Sequence, residues 1–166
     1  MPSGDTLAIF FPLQSEPPAT VFATFDSRNG VMVADFDDTV DEHLEFAGFM
    51  PRFYSDLGIT VTIGWMATDT TVGPDDCIWD VAFKSVSDDL DDLDSKAFAS
   101  PQSVTSTEAS ASGEVKYETI AFTNGAQMDS IAAGEYFRMD VNRDASNVSD
   151  DLVGDAELVF VEIRET

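Results

Sequence analysis

Apolar and polar residues alternate along several short segments of the chain. In residues 59–67 every odd position is Ile, Val, Trp or Ala, whereas the even positions are Thr, Gly and Met. A period of two predicts a β-strand with one buried face. Residues 77–86 repeat the pattern, and their outward positions include Asp80 and Lys84. Because Gly73-Pro74-Asp75 lies between the two segments and is typical of a turn, we expect them to form a hairpin.

Two more segments predict strands. Residues 135–143 alternate in the same way, and their outward set is Arg138, Asp140 and Asn142. Residues 156–164 are apolar on both faces, which favours a central position in a sheet over a surface that a partner covers. Weaker candidates bring the total to about nine strands; they are residues 7–11, 21–25, 31–36, 44–49 and 115–123.

Helical signals are scarce. Only residues 127–133, closed by Gly134, predict a short helical turn. Residues 87–96 and 99–113 are poor in large apolar side chains and predict long loops, the second of them mobile. Asn29-Gly30 is typical of a tight hairpin turn, since both residues adopt positive φ readily.

These elements predict an all-β fold, namely an antiparallel two-sheet β-sandwich of the jelly-roll type with about eight or nine strands and little helix. An immunoglobulin-like sandwich is the alternative, although its disulfide signature is absent. The 166 residues suit a single domain, 1–166, because a core of this size already buries about 70% of the unfolded surface.

The charge balance narrows the choice of partners. Thirty-two acidic and eight basic residues give a formal net charge of −24. Such a charge repels phosphate backbones and anionic lipids, so we expect no direct contact with nucleic acid or membrane. It also opposes compaction, and we therefore expect folding or assembly to require salt or divalent cations for screening.

The cysteine count and the first residues bear on the compartment. Cys77 is the only cysteine, so no intrachain disulfide can form, which favours assembly in a reducing cytoplasm. Residues 1–11 have no basic stretch and only a short apolar run, and we expect neither a signal peptide nor a membrane anchor. Release by cell lysis is then the expected route out of the cell.

Two acidic groups raise the question of calcium, because hard cations are bound by several converging oxygens. Neither group matches a calcium-binding loop with its glycine and terminal glutamate. A solvated acidic loop is the favoured interpretation for both of them: Asp35, Asp37, Asp38 and Asp41, and Asp88, Asp89, Asp91, Asp92 and Asp94.

The sequence offers few residues that are suited to catalysis. His43 is the only histidine, so one chain cannot supply a zinc site with several histidines. A Ser-His-Asp arrangement through His43 is arithmetically possible, but no nucleophile motif accompanies it, and an ordinary strand residue is favoured. We predict a protein that is not an enzyme, with no catalytic, cofactor-binding or metal residues and no cofactor.

Aromatic and basic residues suggest contact surfaces. Trp65 and Trp79 could form a sugar-stacking platform, but both fall on the inward side of their strands, which favours a place in the core. Tyr136 and Met66 fall on the outward side and are better candidates for a contact surface. The arginines could pair with carboxylates of a neighbouring subunit or, more commonly, in local salt bridges; they are Arg52, Arg138 and Arg143.

Several framework segments resemble a family of short virion proteins of tailed bacteriophages, many of them marine. In that family a Gly-Asp or Gly-Glu pair opens a strand that ends in Arg-Asp, and Gly-Asp-Ala opens the last strand. The corresponding residues here are Gly134-Glu135, Arg143-Asp144 and Gly154-Asp155-Ala156. The Asp-rich segment 88–94 departs from the family pattern. The remaining similar segments are 22–29, 36–38, 46–52, 125–133 and 157–158.

The resemblance implies a jelly-roll structural protein of the virion that is assembled in the host cytoplasm. We expect a capsid-associated decoration or cement protein on the head exterior, with other virion proteins as partners and a homo-oligomer such as a trimer as its state. The alternative is a tail or fibre module that binds a host-surface carbohydrate receptor. A polysaccharide-degrading enzyme is the third and least favoured function.

Overall fold

The computed structural model describes residues 4–166, and this part of the chain contains ten β-strands and two short 3₁₀ helices, Pro12–Gln14 and Ala126–Met128. One sheet has six strands: β1 (Thr6–Phe10), β2 (Thr24–Arg28), β3 (Val31–Phe36), β5 (Ile59–Ala67), β8 (Lys116–Phe122) and β10 (Ala156–Glu165). The other has four: β4 (Glu42–Phe49), β6 (Asp76–Val86), β7 (Gln102–Thr107) and β9 (Tyr136–Arg143).

The two sheets form an antiparallel β-sandwich of the jelly-roll type, which confirms the predicted fold class. Strands run β2-β3-β10-β5-β8 in the larger sheet, with β1 also paired to β10, and β4-β9-β6-β7 in the smaller. Without β1 and β2, these are the two four-stranded sheets of a jelly roll. The described residues therefore carry one or two strands more than the eight or nine expected.

Most connections cross from one sheet to the other, and this corrects the predicted hairpin. β5 pairs with β10 and β8, whereas β6 pairs with β9 and β7. The two strands therefore face each other across the core and do not lie side by side. Alternation predicted which side chains of each strand are buried, but it does not show which sheet a strand joins.

The core confirms the inward positions of the two tryptophans. Trp65 and Trp79 have no exposed surface, and their ring centroids are 6.0 Å apart in an edge-to-face contact. Trp65 Nε1 donates a hydrogen bond to Ser106 Oγ over 2.9 Å. A sugar platform built on these two rings is excluded because neither ring reaches the surface. The double-sided apolar strand β10 is central, between β5 on one side and β1 and β3 on the other.

Local predictions were right at the Asn29-Gly30 turn and wrong at the bounds of two elements. Asn29 and Gly30 have φ of 49° and 81° and join β2 to β3, as expected. The segment predicted to start at Val21 begins at Thr24 instead, since Val21 has a φ of 56°, outside the β region. The predicted helical turn at 127–133 is reduced to the 3₁₀ helix Ala126–Met128.

The predicted loop 99–113 contains the edge strand β7, Gln102–Thr107. It pairs with β6 along its whole length, although Val104 is its only large apolar residue. Its burial alternates as in the other strands, but its inward positions are Gln102, Val104 and Ser106, so two of the three are polar and the apolar alternation is missing. Across residues 4–166, no helix has the length and apolar character that a bilayer span requires.

A buried arginine fastens the long connection between β9 and β10. Arg143 is fully buried, and its guanidinium donates to both carboxylate oxygens of Asp150, over 3.2 and 2.8 Å. It also donates to the carbonyl oxygens of Phe36, Leu152 and Gly154. Of the three arginines considered for pairing, Arg143 is therefore an internal clamp, Arg138 forms local salt bridges, and Arg52 is exposed.

Candidate functional site

The outer face of the four-stranded sheet gathers the polar and aromatic side chains that point away from the core. On β4, β6 and β9 the inward residues, such as Phe46, Phe83 and Met139, are buried. Their neighbours along each strand point outward, and the strand register places them in rows. From one end to the other, the rows are His43-Asn142-Asp80, Glu45-Asp140-Ala82, Ala47-Arg138-Lys84 and Phe49-Tyr136-Val86.

The first two rows form a hydrogen-bonded cluster around the only histidine. His43 Nδ1 lies 2.9 Å from Asp140 Oδ2, and its Nε2 lies 3.4 Å from Asn142 Nδ2. Asn142 Nδ2 also donates to the Glu42 carbonyl oxygen over 3.0 Å. The hydrogen bond to Asp140 raises the pKa of His43, partly opposed by burial of the ring.

Two carboxylate oxygens in this cluster lack a partner. Asp80 Oδ1 and Asp140 Oδ1 are buried, and no hydrogen-bond donor among residues 4–166 reaches either of them. Burial raises the pKa of Asp80, a hydrogen bond from Ser103 partly opposes this, and the negative charges of Asp144 and Asp140 raise the pKa further. A buried acceptor without a donor is costly, by about 1–3 kcal/mol. Such atoms therefore point to a ligand that brings hydrogen-bond donors.

A groove runs over this cluster on both sides of the Phe98 ring. One part has a volume of about 450 Å³, and the other about 250 Å³. His43, Asp140 and Phe98 line both parts. The first part is completed by Pro18, Thr20, Val21, Asp41 and Glu45, and the second by Asp80, Ala82, Ala99, Pro101 and Asn142.

Phe98 stands over the face although it belongs to no strand. The segment is tied to β6 by a hydrogen bond from Ala99 N to the Phe83 carbonyl oxygen, 2.8 Å long. Lys84, which points outward from β6, places its Nζ 4.4 Å from the centre of the Phe98 ring. This cation–π contact and the backbone hydrogen bond hold the ring at the groove.

The far end of the outer face carries a second aromatic feature. Phe49 and Tyr136 have ring centroids 5.4 Å apart, and Phe49 is 67% exposed. Between the two ends, Arg138 forms salt bridges with Glu16 and Glu45. Tyr136 points outward, as predicted for a contact residue. Met66 does not qualify, since it is only 6% exposed.

The two predicted acidic groups do not converge on a cation. Asp37 accepts hydrogen bonds from the backbone of Thr39 and Val40, and Asp91 accepts them from Ser87 and Lys96. These carboxylates order their own loops, as Asx turns do. Asp37 and Asp91 lie on separate loops and do not form one site.

One set of three carboxylates does lie within metal-ligand distance among the described residues, on the outer side of the six-stranded sheet. It consists of Asp26, Asp35 and Glu157, so Asp35 is separated from the other members of its predicted group. Burial, followed by the charges of Glu157 and Asp26, raises the pKa of Asp35 to about 6. Arg28 forms a salt bridge with Glu157 and already supplies a positive charge there.

Sequence patterns identified parts of the outer face but not its function. Asp80, Asp140 and Asn142 were placed on strands with outward side chains, whereas His43 lies one residue before the predicted strand 44–49. Phe98 was missed because it lies between two predicted loops. The signal that could have found it is a lone aromatic residue in a Ser- and Asp-rich stretch, since such a residue has no core to join.

The fold and the groove define a class: a jelly-roll β-sandwich with a ligand-sized groove on the outer face of its smaller sheet. No family model and no curated protein sequence matches the chain. Among solved structures, the CBM22-2 xylan-binding domain of Paenibacillus barcinonensis Xyn10C matches with a TM-score of 0.53 and 12% identity, over 92% of each chain.

Two enzyme structures match as well. An exo-β-1,3-galactanase from Phanerochaete chrysosporium, with galactose, gives a TM-score of 0.55 and 8% identity over 96% of this chain. A GH115 4-O-methyl-α-glucuronidase with specificity for decorated arabinogalactans gives 0.55 and 10% over 98%. The chain spans only 29% and 18% of the lengths of these two proteins. At these identities, the matches show a shared fold.

Proposed function

We propose that this chain is a non-catalytic carbohydrate-binding β-sandwich that holds a glycan across the outer face of its four-stranded sheet. One observation carries the proposal: the Phe98 ring stands at the groove beside two buried carboxylate oxygens that no donor in the described chain satisfies.

The chemistry of a sugar matches this arrangement. A pyranose ring has an apolar face of C–H groups that packs on an aromatic ring, and a rim of hydroxyl groups that donate hydrogen bonds. Asp80 Oδ1 and Asp140 Oδ1 are acceptors for such donors. A ligand site combines apolar walls with a few placed polar groups, and the groove has both.

The outer face is long enough for a chain of sugars. From His43 to Phe49 the strand β4 extends about 20 Å, several pyranose rings in length. Phe98 lies beside the second and third rows, and the Phe49–Tyr136 pair lies in the fourth. The xylan-binding domain named above supports the proposal because its match covers nearly the whole of both chains.

Placement on a bacteriophage particle stays a prediction of the family resemblance. Of the two virion roles expected, the outer face favours the tail or fibre module that binds a host-surface carbohydrate over the head decoration protein. Mass spectrometry of purified virions would test both, because decoration requires tens to hundreds of copies and a fibre module few. If the chain is absent from virions, both virion roles are wrong, and the proposal of glycan binding is unaffected.

A glycan microarray probed with the labelled chain tests the proposed function. We expect binding to at least one polysaccharide class, and amide shifts in ¹⁵N NMR spectra that map to His43, Phe98 and Asp140. The control is Tyr117→Ala on the opposite sheet, where Tyr117 is 66% exposed and packs edge-to-face on Phe160. Loss of binding in that variant, shifts on that sheet, or no binding at all would overturn the proposal.

A further inference from the structure

We infer that the groove selects glycans by charge: sugars with protonated amino groups bind best, neutral sugars bind less tightly, and uronates or sulfated sugars do not bind. This inference rests on the proposed function and names the ligand class of the same site. It follows from an imbalance between hydrogen-bond acceptors and donors in the groove.

Two side-chain donors of the groove are already engaged inside the protein. His43 Nδ1 is held by Asp140, and Asn142 Nδ2 donates to the Glu42 carbonyl oxygen. The acceptors remain available, since Asp80 Oδ1 and Asp140 Oδ1 have no donor among the described residues. An anionic sugar would add further acceptors and negative charge to a lining that already holds four carboxylates, Asp41, Glu45, Asp80 and Asp140.

The carboxylates of Asp80 and Asp140, each with one oxygen that lacks a donor, lie on neighbouring strands. Asp80 is paired with Asn142 and Asp140 with Ala82, so the two acids are diagonal neighbours on adjacent strands. Such neighbours are about 7 Å apart, and an ammonium group between them can donate to both. A charge-assisted bond of this kind is shorter and stronger than a bond from a neutral hydroxyl.

The charges around the groove also favour a positively charged ligand. Asp41 and Glu45 line it together with Asp80 and Asp140, whereas His43 is the only basic residue in its lining. Of the nearby cations, Arg138 is paired with Glu16 and Glu45, and Lys84 lies against the Phe98 ring, so the four carboxylates of the lining outnumber the positive charges around it. Asp144 adds a negative charge from the loop after β9.

The test uses two series of monosaccharides that differ in charge: glucosamine, glucose and glucuronate, and the three galactose equivalents. Each is titrated into the ¹⁵N-labelled chain at low ionic strength and near-neutral pH, where the amine is largely protonated and less of His43 is charged. We expect the amino sugar to bind about five- to tenfold more tightly than the neutral sugar. We also expect this ratio to shrink toward one at about 1 M NaCl, because salt screens the attraction.

Variants separate the effect of the groove from the effect of overall charge. Asp80→Asn should lower amino-sugar affinity more than neutral-sugar affinity, so that the ratio falls at least twofold. Asp56→Asn removes the same charge at an exposed position outside the groove and should leave both affinities unchanged. The salt dependence of the unaltered chain provides the same information if Asp80→Asn does not fold.

Three results would overturn the inference. They are uronate binding as tight as neutral-sugar binding, an amino sugar that binds no better than its neutral counterpart, and no shift in the groove with either amino sugar. A positive microarray together with any of these would leave the proposed function standing. A negative microarray together with no monosaccharide shifts would remove both.

Discussion

The ammonium group of Lys84 lies 4.4 Å from the centre of the Phe98 ring, and this contact positions the only aromatic side chain between the two parts of the groove. Lys84 comes from a strand and Phe98 from the segment that follows it. The pair therefore links a rigid element to a loop residue that would otherwise be free to turn away.

Removing the Phe98 ring should weaken glycan binding without unfolding the protein. We expect Phe98→Ala to lower affinity about tenfold, the effect of losing one central aromatic contact of about 1.4 kcal/mol. Because Phe98 is only half-buried, the melting temperature should change little. Isothermal titration calorimetry with the best microarray glycan measures the first effect and thermal unfolding the second. Phe53→Ala, at a 53%-exposed position outside the groove, should bind normally.

The pKa of the single histidine reports its hydrogen bond with Asp140. Asp140 raises the pKa of His43 above its ordinary value of 6.5. The stabilising effect of the pairing between His43 and Asp140 is therefore present at low pH and is lost as the pH rises through the raised pKa. NMR titration of the imidazole should show a lower pKa in Asp140→Asn and an unchanged one in Asp88→Asn. An identical titration in all three proteins would contradict the observed pairing.

Replacing the buried Arg143 should lower stability more than replacing any other basic residue. In Arg143→Ala, the Asp150 carboxylate, whose side chain is 1% exposed, would be left unpaired. We expect a loss of about 3–5 kcal/mol in the free energy of unfolding, the usual cost of breaking a buried ion pair from one side. Urea denaturation measures it. The exposed Arg52→Ala should change stability by less than about 0.5 kcal/mol, and equal losses in the two variants would refute the role of the clamp.

Asp35 should make the protein less stable as the pH rises. Its pKa is about 6 in the folded chain, against 3.8 for an ordinary aspartate. Its stabilising effect is complete below the lower value and is lost as the pH rises through the higher one. Asp35→Asn should therefore gain stability over the natural chain between about pH 4 and 6, reaching about 1–2 kcal/mol after allowance for partial exposure.

Urea denaturation at several pH values would show this gain, and Asp94→Asn, at an exposed position in the acidic loop, should show none. A pH-independent difference between Asp35→Asn and the natural chain would mean that Asp35 keeps an ordinary pKa.

The net charge of −24 should make stability depend on salt. Acidic residues lie close together at several positions. One of them is Glu108, which is 8% exposed. Burial and the charges of Asp75, Asp69 and Asp151 raise its pKa. Raising NaCl from about 0.02 M to about 0.5 M shortens the Debye length from about 20 Å to about 4 Å. The melting temperature should therefore rise. A constant melting temperature would mean that repulsion between these carboxylates does not affect folding.

Sequence patterns predicted the strands that have one buried face, and they failed where burial is incomplete. The alternation in residues 59–67 and 77–86 identified β5 and β6 and placed Trp65 and Trp79 in the core. The edge strand β7 has no such alternation and was taken for a loop. The candidate groove was only partly predictable, because outward residues are read as polar surface until their neighbours on other strands are known.

The sequence by itself determined which side chains turn inward, because the period of two is a property of each strand, and it determined the net charge and the absence of an intrachain disulfide. Only the tertiary structure decided which strands become neighbours. His43, Asp80, Phe98 and Asp140 are far apart along the chain, and they meet because β4, β9 and β6 lie side by side. Pairing between distant strands depends on the free energy of the whole sandwich and leaves no local pattern.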